Sequence, residues 1–309
     1  MRALIVTNMY PSAQRPALGS FVRDQVRALR RLRDVELELF AFDPGGPRAY
    51  VRAARTLRRR YGGDRFDVVH AHFGLTAWPA LAAPGRRRAV TLHGTDLAHP
   101  RSRALTLAAL PFLDLVAVVS QQLADQLPRS ARPRRIAVLP AGVDVERFRP
   151  IPRAQARAAL GLDPDGPYLL FPGDPNRPEK RHDRALQVAG DVPLLALGNV
   201  DPDDVPAWVN AANAVLVPSE REGFGLAVLE ALACDVPVLA TPCGAAPEAL
   251  DGIEGTYCGP FDAETWRSVL EPQLRTPDPR VAGRARAERY SSDRMAARVL
   301  EAWQTLLYA

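Results

Sequence analysis

The stretch Pro218-Ser219-Glu220-Arg221-Glu222-Gly223-Phe224-Gly225-Leu226-Ala227-Val228-Leu229-Glu230-Ala231-Leu232 decides how this chain folds. An apolar run, Ala214-Val215-Leu216-Val217, precedes it and stops at the proline, which reads as a buried strand. A polar loop follows, then two glycines flanking a phenylalanine, then strong helix formers. Strand, glycine loop and helix N-terminus together make an anion site, because the first-turn amides lack helical partners and the helix dipole is positive there. Glu222 lies in the loop and Glu230 inside the helix, so the two carboxylates do not share one job. An anion site flanked by carboxylates suits a ligand carrying both phosphates and hydroxyls, and a nucleotide sugar is such a ligand.

The same rhythm recurs outward from this stretch. Residues 2–8 read as a first strand, 8–19 as a loop holding Pro11, Pro16 and Gly19, and a helix starts with Ser20 as its N-cap. Positions 21, 22, 25, 26 and 29 share one face of that helix. Further strands fall at 35–40, 66–72, 89–96, 115–120 and 136–139, with a basic helix at 48–61. The last four of these strands bring polar residues to their carboxyl ends, where open α/β sheets bind ligands. The proline-bearing segment 148–152 reads as an interdomain linker. Strands at 168–171, 192–197, 214–217 and 236–240 then alternate with helices, and a helix at about 294–308 is long enough to pack back on the first half. The expected fold is α/β with two Rossmann-like domains, 1–150 and 151–290, and a C-terminal segment 291–309 returning to the N-terminal domain.

Composition narrows the class. The chain has 309 residues, 47% of them hydrophobic, enough for two cores of ordinary size. No apolar run approaches the roughly 20 residues of a membrane span, and the run at 3–7 is too short for a signal peptide, so a cytoplasmic location is expected. Cys234, Cys243 and Cys258 lack metal spacing and read as reduced structural thiols. The formal charge of +5 conceals an asymmetry: residues 1–150 carry 25 arginines against 12 acidic residues. A basic N-terminal half fits peripheral contact with an anionic membrane or a phosphorylated acceptor, and nucleic acid is not expected. Solvated helix faces in an arginine-rich composition fit it equally well. Of the 40 basic side chains only Lys180 is lysine, which suits a position needing a compact point charge.

An ordered set of motifs now spans nearly the whole chain: Asn-Met-Tyr-Pro at 8–11 with Gly19, Val-Val-His-Ala-His at 68–72 and Thr-Leu-His-Gly-Thr-Asp at 91–96. Gly142-Val143-Asp144, Arg177-Pro178-Glu179-Lys180-Arg181 and the Glu222-to-Glu230 spacing around Gly223-Phe224-Gly225 complete it. The set resembles the retaining GT-B glycosyltransferases of family 4. The resemblance implies two Rossmann-like domains facing a central cleft, with the nucleotide mostly on the C-terminal one. It implies a UDP-linked or GDP-linked sugar donor, UDP favoured, and no separate cofactor. By resemblance, His93, Arg177, Lys180 and Glu222 are the catalytic candidates, with Glu222 on sugar hydroxyls and His93 near the reacting sugar. Gly19, Gly173, Gly198, Val200, Gly223, Phe224, Gly225, Leu226 and Glu230 are the donor-binding candidates, with Glu230 on the ribose. His72 and Asp96 are acceptor-side candidates, although Asp96 also reads as a helix cap and His70 as structural support. The acceptor is left open as a small molecule, a lipid-linked compound or a glycan.

Two positions depart from the pattern: Asp174 stands where many members have an arginine, and Ala141 where an asparagine is frequent. Arg177 is expected to take over the diphosphate contact. No metal is expected, since Asp201 and Asp203 read as a turn and cap; fixed cations and amides aimed at the leaving phosphate supply the charge stabilisation. The resemblance also implies front-side attack with retention. Rival readings are an epimerase or glycoside phosphorylase on the same fold, or a nonenzymatic sugar- or nucleotide-binding protein.

Overall fold

The first strand, β1 (Arg2–Thr7), is buried at every residue after Arg2, and a strand covered on both faces needs partners at both edges. In the computed structural model, which describes residues 1–128 and 135–308, it lies between β2 (Glu36–Ala41) and β3 (Phe66–His72). The sheet continues through β4 (Gly85–Leu92), β5 (Leu115–Val118) and β6 (Ile136–Val138) in the order β2-β1-β3-β4-β5-β6. Every pairing is parallel, with Thr7 opposite His72 and His72 opposite Thr91. A second parallel sheet has the order β11-β10-β9-β7-β8. Its strands are β7 (Leu169–Phe171), β8 (Leu194–Ala196), β9 (Ala214–Val217), β10 (Val238–Ala240) and β11 (Tyr257–Cys258). Parallel strands with intervening helices are the α/β, Rossmann-like arrangement.

The chain divides into two units, one holding Met1–Ser12, Leu18–Gly142 and the chain from Ser292, the other Ala13–Ala17 and Val143–Ser291. The segment 148–152, read from sequence as a linker, belongs to the second unit. Phe148 is 1% exposed in its core, and the Val143 amide donates to the Tyr290 carbonyl at 2.9 Å. The C-terminal helix Ser292–Tyr308 packs in the first unit, burying Met295, Val299, Trp303, Leu306 and Leu307 beside Val22, Val26 and Leu29. Ala309, the last residue of the expected returning segment, lies outside the described residues. No helix of the described residues is long and apolar enough to cross a membrane.

Arginine does internal work in the second unit. Arg280 donates to the Cys234 carbonyl at 2.8 Å and the Ile151 carbonyl at 2.6 Å, and Arg284 to the carbonyls of Phe148, Ala233 and Val145. Arg153 and Arg157 bond Ala212 and Ala211. These acceptors include the last carbonyls of the helices Leu226–Ala233 and Val205–Ala211, which have no helical partner. One guanidinium fork answers two or three of them at once, as a single ammonium does less readily.

Candidate active site

In the second unit, β9 delivers the chain to a loop that ends at Gly225, the N-cap of Leu226–Ala233. Gly225 sits at φ 87°, where a side chain is strained, so glycine is required for the sharp entry into the helix. The loop is braced from beneath: the Ala245 amide donates to the Phe224 carbonyl at 2.7 Å, and the Thr241 hydroxyl to the Ser219 carbonyl. Phe224 packs at a tilt on Tyr290, centroids 6.0 Å apart. The first-turn amides of the helix thus point at a held loop, as the sequence pattern anticipates.

Two carboxylates of that loop, Glu220 and Glu222, are paired with cations: Glu220 with Arg181 and Arg184, Glu222 with Lys180. Glu222 accepts from the Lys180 ammonium at 2.6 Å through one oxygen and from the Ser219 hydroxyl at 2.6 Å through the other. The Glu222 side chain is only 9% exposed and that of Lys180 20%, so the pair is held in place with little solvent between. Lys180 closes the short turn Pro178–Lys180, and the Glu220 amide donates to the Glu179 carbonyl at 2.9 Å, tying the two loops together. A Cβ on Gly173 would meet the Lys180 stem at 3.6 Å. Arg177 is half exposed and paired with Glu179 at 2.9 and 2.5 Å. Asp174, the departure from the family pattern, shapes the turn: it accepts from the Asn176 amide at 2.9 Å and its side-chain nitrogen at 3.0 Å. Glu230 is partly exposed, one turn into the helix. Gly198 and Val200 follow β8, where a Cβ on Gly198 would meet nothing within 4 Å and Val200 packs against the core. Asp201 accepts from the Asp203 amide at 2.9 Å, a turn role.

In the first unit, His93 lies past the end of β4, and Phe21 packs its ring at 4.8 Å. Gly19 caps the helix Ser20–Arg31 at φ 66°, and a Cβ there would fall 2.2 Å from the Met9 carbonyl oxygen. Ser20, read from sequence as the N-cap, is instead the first helical residue; the left-handed turn at Gly19 supplies the entry a serine side chain would otherwise stabilise. Asp96 is fully buried, accepting from the amides of Gly74 at 2.6 Å, His93 and Gly94. It therefore holds the strand-end loops together, and burial pushes its carboxyl up to about 6 although the three amides pull the other way. His72 is likewise fully buried, bonded to His93 at 3.1 Å and to Gln25 at 3.3 Å. Burial lowers His72 to about 3 and holds His70 and His93 well below the usual histidine range, so all three are neutral.

The structure brings Lys180, Glu222, Gly225 and the helix terminus together in one unit, and His72, His93 and Asp96 in the other. Ser219 and Gln25 escaped the sequence reading. Gln25 left a signal, a polar side chain on the apolar face of its helix.

The family model for Glycosyltransferase Family 4 matches residues 5–147, and that for Glycosyl transferases group 1 matches residues 162–271. A D-inositol 3-phosphate glycosyltransferase of Mycolicibacterium paratuberculosis is 31% identical over 332 residues, covering 90% of this chain and 73% of the relative. Among solved structures, a sucrose-phosphate synthase of Thermosynechococcus elongatus matches with a TM-score of 0.74 at 20% identity, over 100% of both chains. Anabaena Alr3699/HepE, solved with UDP-glucose, matches at 0.70 and 17% identity, over 99% of this chain and 100% of that one. With its fold shared by these structures and its sequence by that relative, this chain is a GT-B glycosyltransferase and belongs to family 4.

Proposed function

We propose that this enzyme transfers a hexosyl group from a UDP-linked sugar to a hydroxyl of its acceptor, with retention and without a metal. The observation that carries the reading is the Lys180–Glu222 pair at 2.6 Å beside the N-terminus of Leu226–Ala233. When a nucleoside diphosphate leaves, negative charge develops on its outer phosphate, and a fixed ammonium with helix amides meets it without a metal ion. Arg177, free to swing from the exposed Glu179 pair, supplies a second cation. Glu222 and Glu230 accept from sugar and ribose hydroxyls respectively, and His93 bonds an oxygen of the sugar. The sugar–phosphate C–O bond breaks and the acceptor oxygen bonds the same face of the carbon. The acceptor proton passes to the departing phosphate. UDP is favoured over GDP because a neighbour of the same fold is solved with UDP-glucose. Peripheral attachment to an anionic membrane through the first unit belongs to this reading, supported by the basic composition of residues 1–150 and the exposed rings of Trp78 and Phe112.

Thermal shift against a panel of UDP- and GDP-sugars tests the donor, followed by transfer in chelator with D-inositol 3-phosphate, the relative's named acceptor, among the candidates. Lys180→Ala and Glu230→Ala are each expected to lower kcat about 10²-fold or more while the fold persists. Wild-type turnover in either variant, or an inverted anomeric product, refutes the reading.

A further inference from the structure

Three imidazoles stack inside the first unit. His70 and His72 lie at 5.2 Å and 14°, His72 and His93 at 5.3 Å and 17°. A neutral imidazole offers one N–H and one lone pair, and the bond made by one nitrogen dictates the role of the other. The side-chain nitrogen of Gln25 faces His72 Nε2 at 3.3 Å, and an amide nitrogen only donates. His72 Nε2 therefore accepts, its proton sits on Nδ1, and it donates to His93 Nε2 at 3.1 Å. His93 Nε2 then accepts in turn, which leaves the His93 proton on Nδ1.

We propose that Gln25 is a positioning residue that sets, through His72, the tautomer of His93, so that His93 presents Nδ1–H as a neutral donor. Burial of His72 and His93 keeps both rings uncharged, which is the condition for such a relay. The neighbouring ring supports it from the other side without joining the chain: the Trp303 indole donates to His70 Nδ1 at 2.9 Å, so His70 Nε2 donates to the Thr91 hydroxyl at 2.7 Å. Gln25 itself is held at 7% exposure on the helix Ser20–Arg31, and Phe21 of the same helix packs on His93. One helix thus sets both the ring position and the proton position of His93. The amide turned the other way would reverse every donor and present a lone pair at Nδ1. The consequence for transfer rests on the reading that His93 bonds a sugar oxygen; the tautomer itself does not.

The test is nitrogen-15 NMR of the histidine rings in the full chain without ligand, which separates protonated from bare ring nitrogens. In the wild type His93 is expected to carry its proton on Nδ1 and His72 on Nδ1. In Gln25→Met the link is cut and His93 becomes a mixture of tautomers. With a sugar donor in hand, KM for the donor rises by the inverse of the productive fraction, about twofold for an even mixture, while kcat holds. A wild-type His93 protonated on Nε2 overturns the proposal, as does a Gln25→Met protein whose His93 keeps a single Nδ1–H tautomer. Should Gln25→Met not fold, Gln25→Leu takes its place, and the wild-type spectrum decides in either case. Failure of transfer with every sugar would count against the functional reading and leave the tautomer result standing.

Discussion

At the scale of single residues, burial of titratable groups costs stability that pH reveals. His72 is fully buried, unable to take a proton until about pH 3, whereas an unfolded histidine takes one near 6.5. A depressed folded pKa means that stability is fully present above the unfolded value and lost as pH falls below it. Between pH 6.5 and 5 His72 should cost about 2 kcal/mol, at 1.36 kcal/mol per unit. Asp96, raised to about 6, acts in the opposite sense, its stabilising effect present at acid pH and lost as pH rises through 6. Urea unfolding of wild type and His72→Gln at pH 7, 6 and 5 isolates the histidine: the gap between the two should shrink or reverse toward pH 5. A constant gap would show that His72 does not carry the effect.

At the scale of elements, two helices show what sequence conveys and what it leaves out. The helix Leu226–Ala233 was legible in full, since strand, glycine and helix formers follow one another without any distant residue. The helix Ser292–Tyr308 was expected from sequence to return to the first half, but the side chains it meets there were not legible. Trp303 is fully buried there and donates its indole N–H to His70 Nδ1 at 2.9 Å, across 233 positions of sequence. Trp303→Ala should lose about 3–5 kcal/mol through the cavity it leaves. Trp303→Phe keeps much of the apolar volume yet leaves a buried imidazole nitrogen unpaired, at about 1–3 kcal/mol. Denaturant melts of both variants check this. Equal stability of Trp303→Phe and wild type would mean that the indole bond contributes nothing.

At the scale of the whole molecule, charge is unevenly distributed along the chain. The first 150 residues hold 25 of the basic side chains, and exposed Trp78 and Phe112 lie in the same half, 6.1 Å apart. Anionic vesicles should therefore pull the protein down at low ionic strength, neutral vesicles much less, and salt should release it as screening shortens to about 10 Å at 0.1 M. Equal sedimentation with both vesicles, or none with either, would exclude charge-driven attachment to a membrane. Fold class and the strand–loop–helix around Gly225 were determined by the sequence alone, because local spacing and residue type suffice to build a helix terminus. Only the tertiary structure decided that Arg280 and Arg284 cap helix carbonyls from within and that Asp96 is spent on three amides. It alone put Gln25 behind His93. A hydrogen bond depends on which groups the fold brings within about 3 Å, and no spacing along the chain records that.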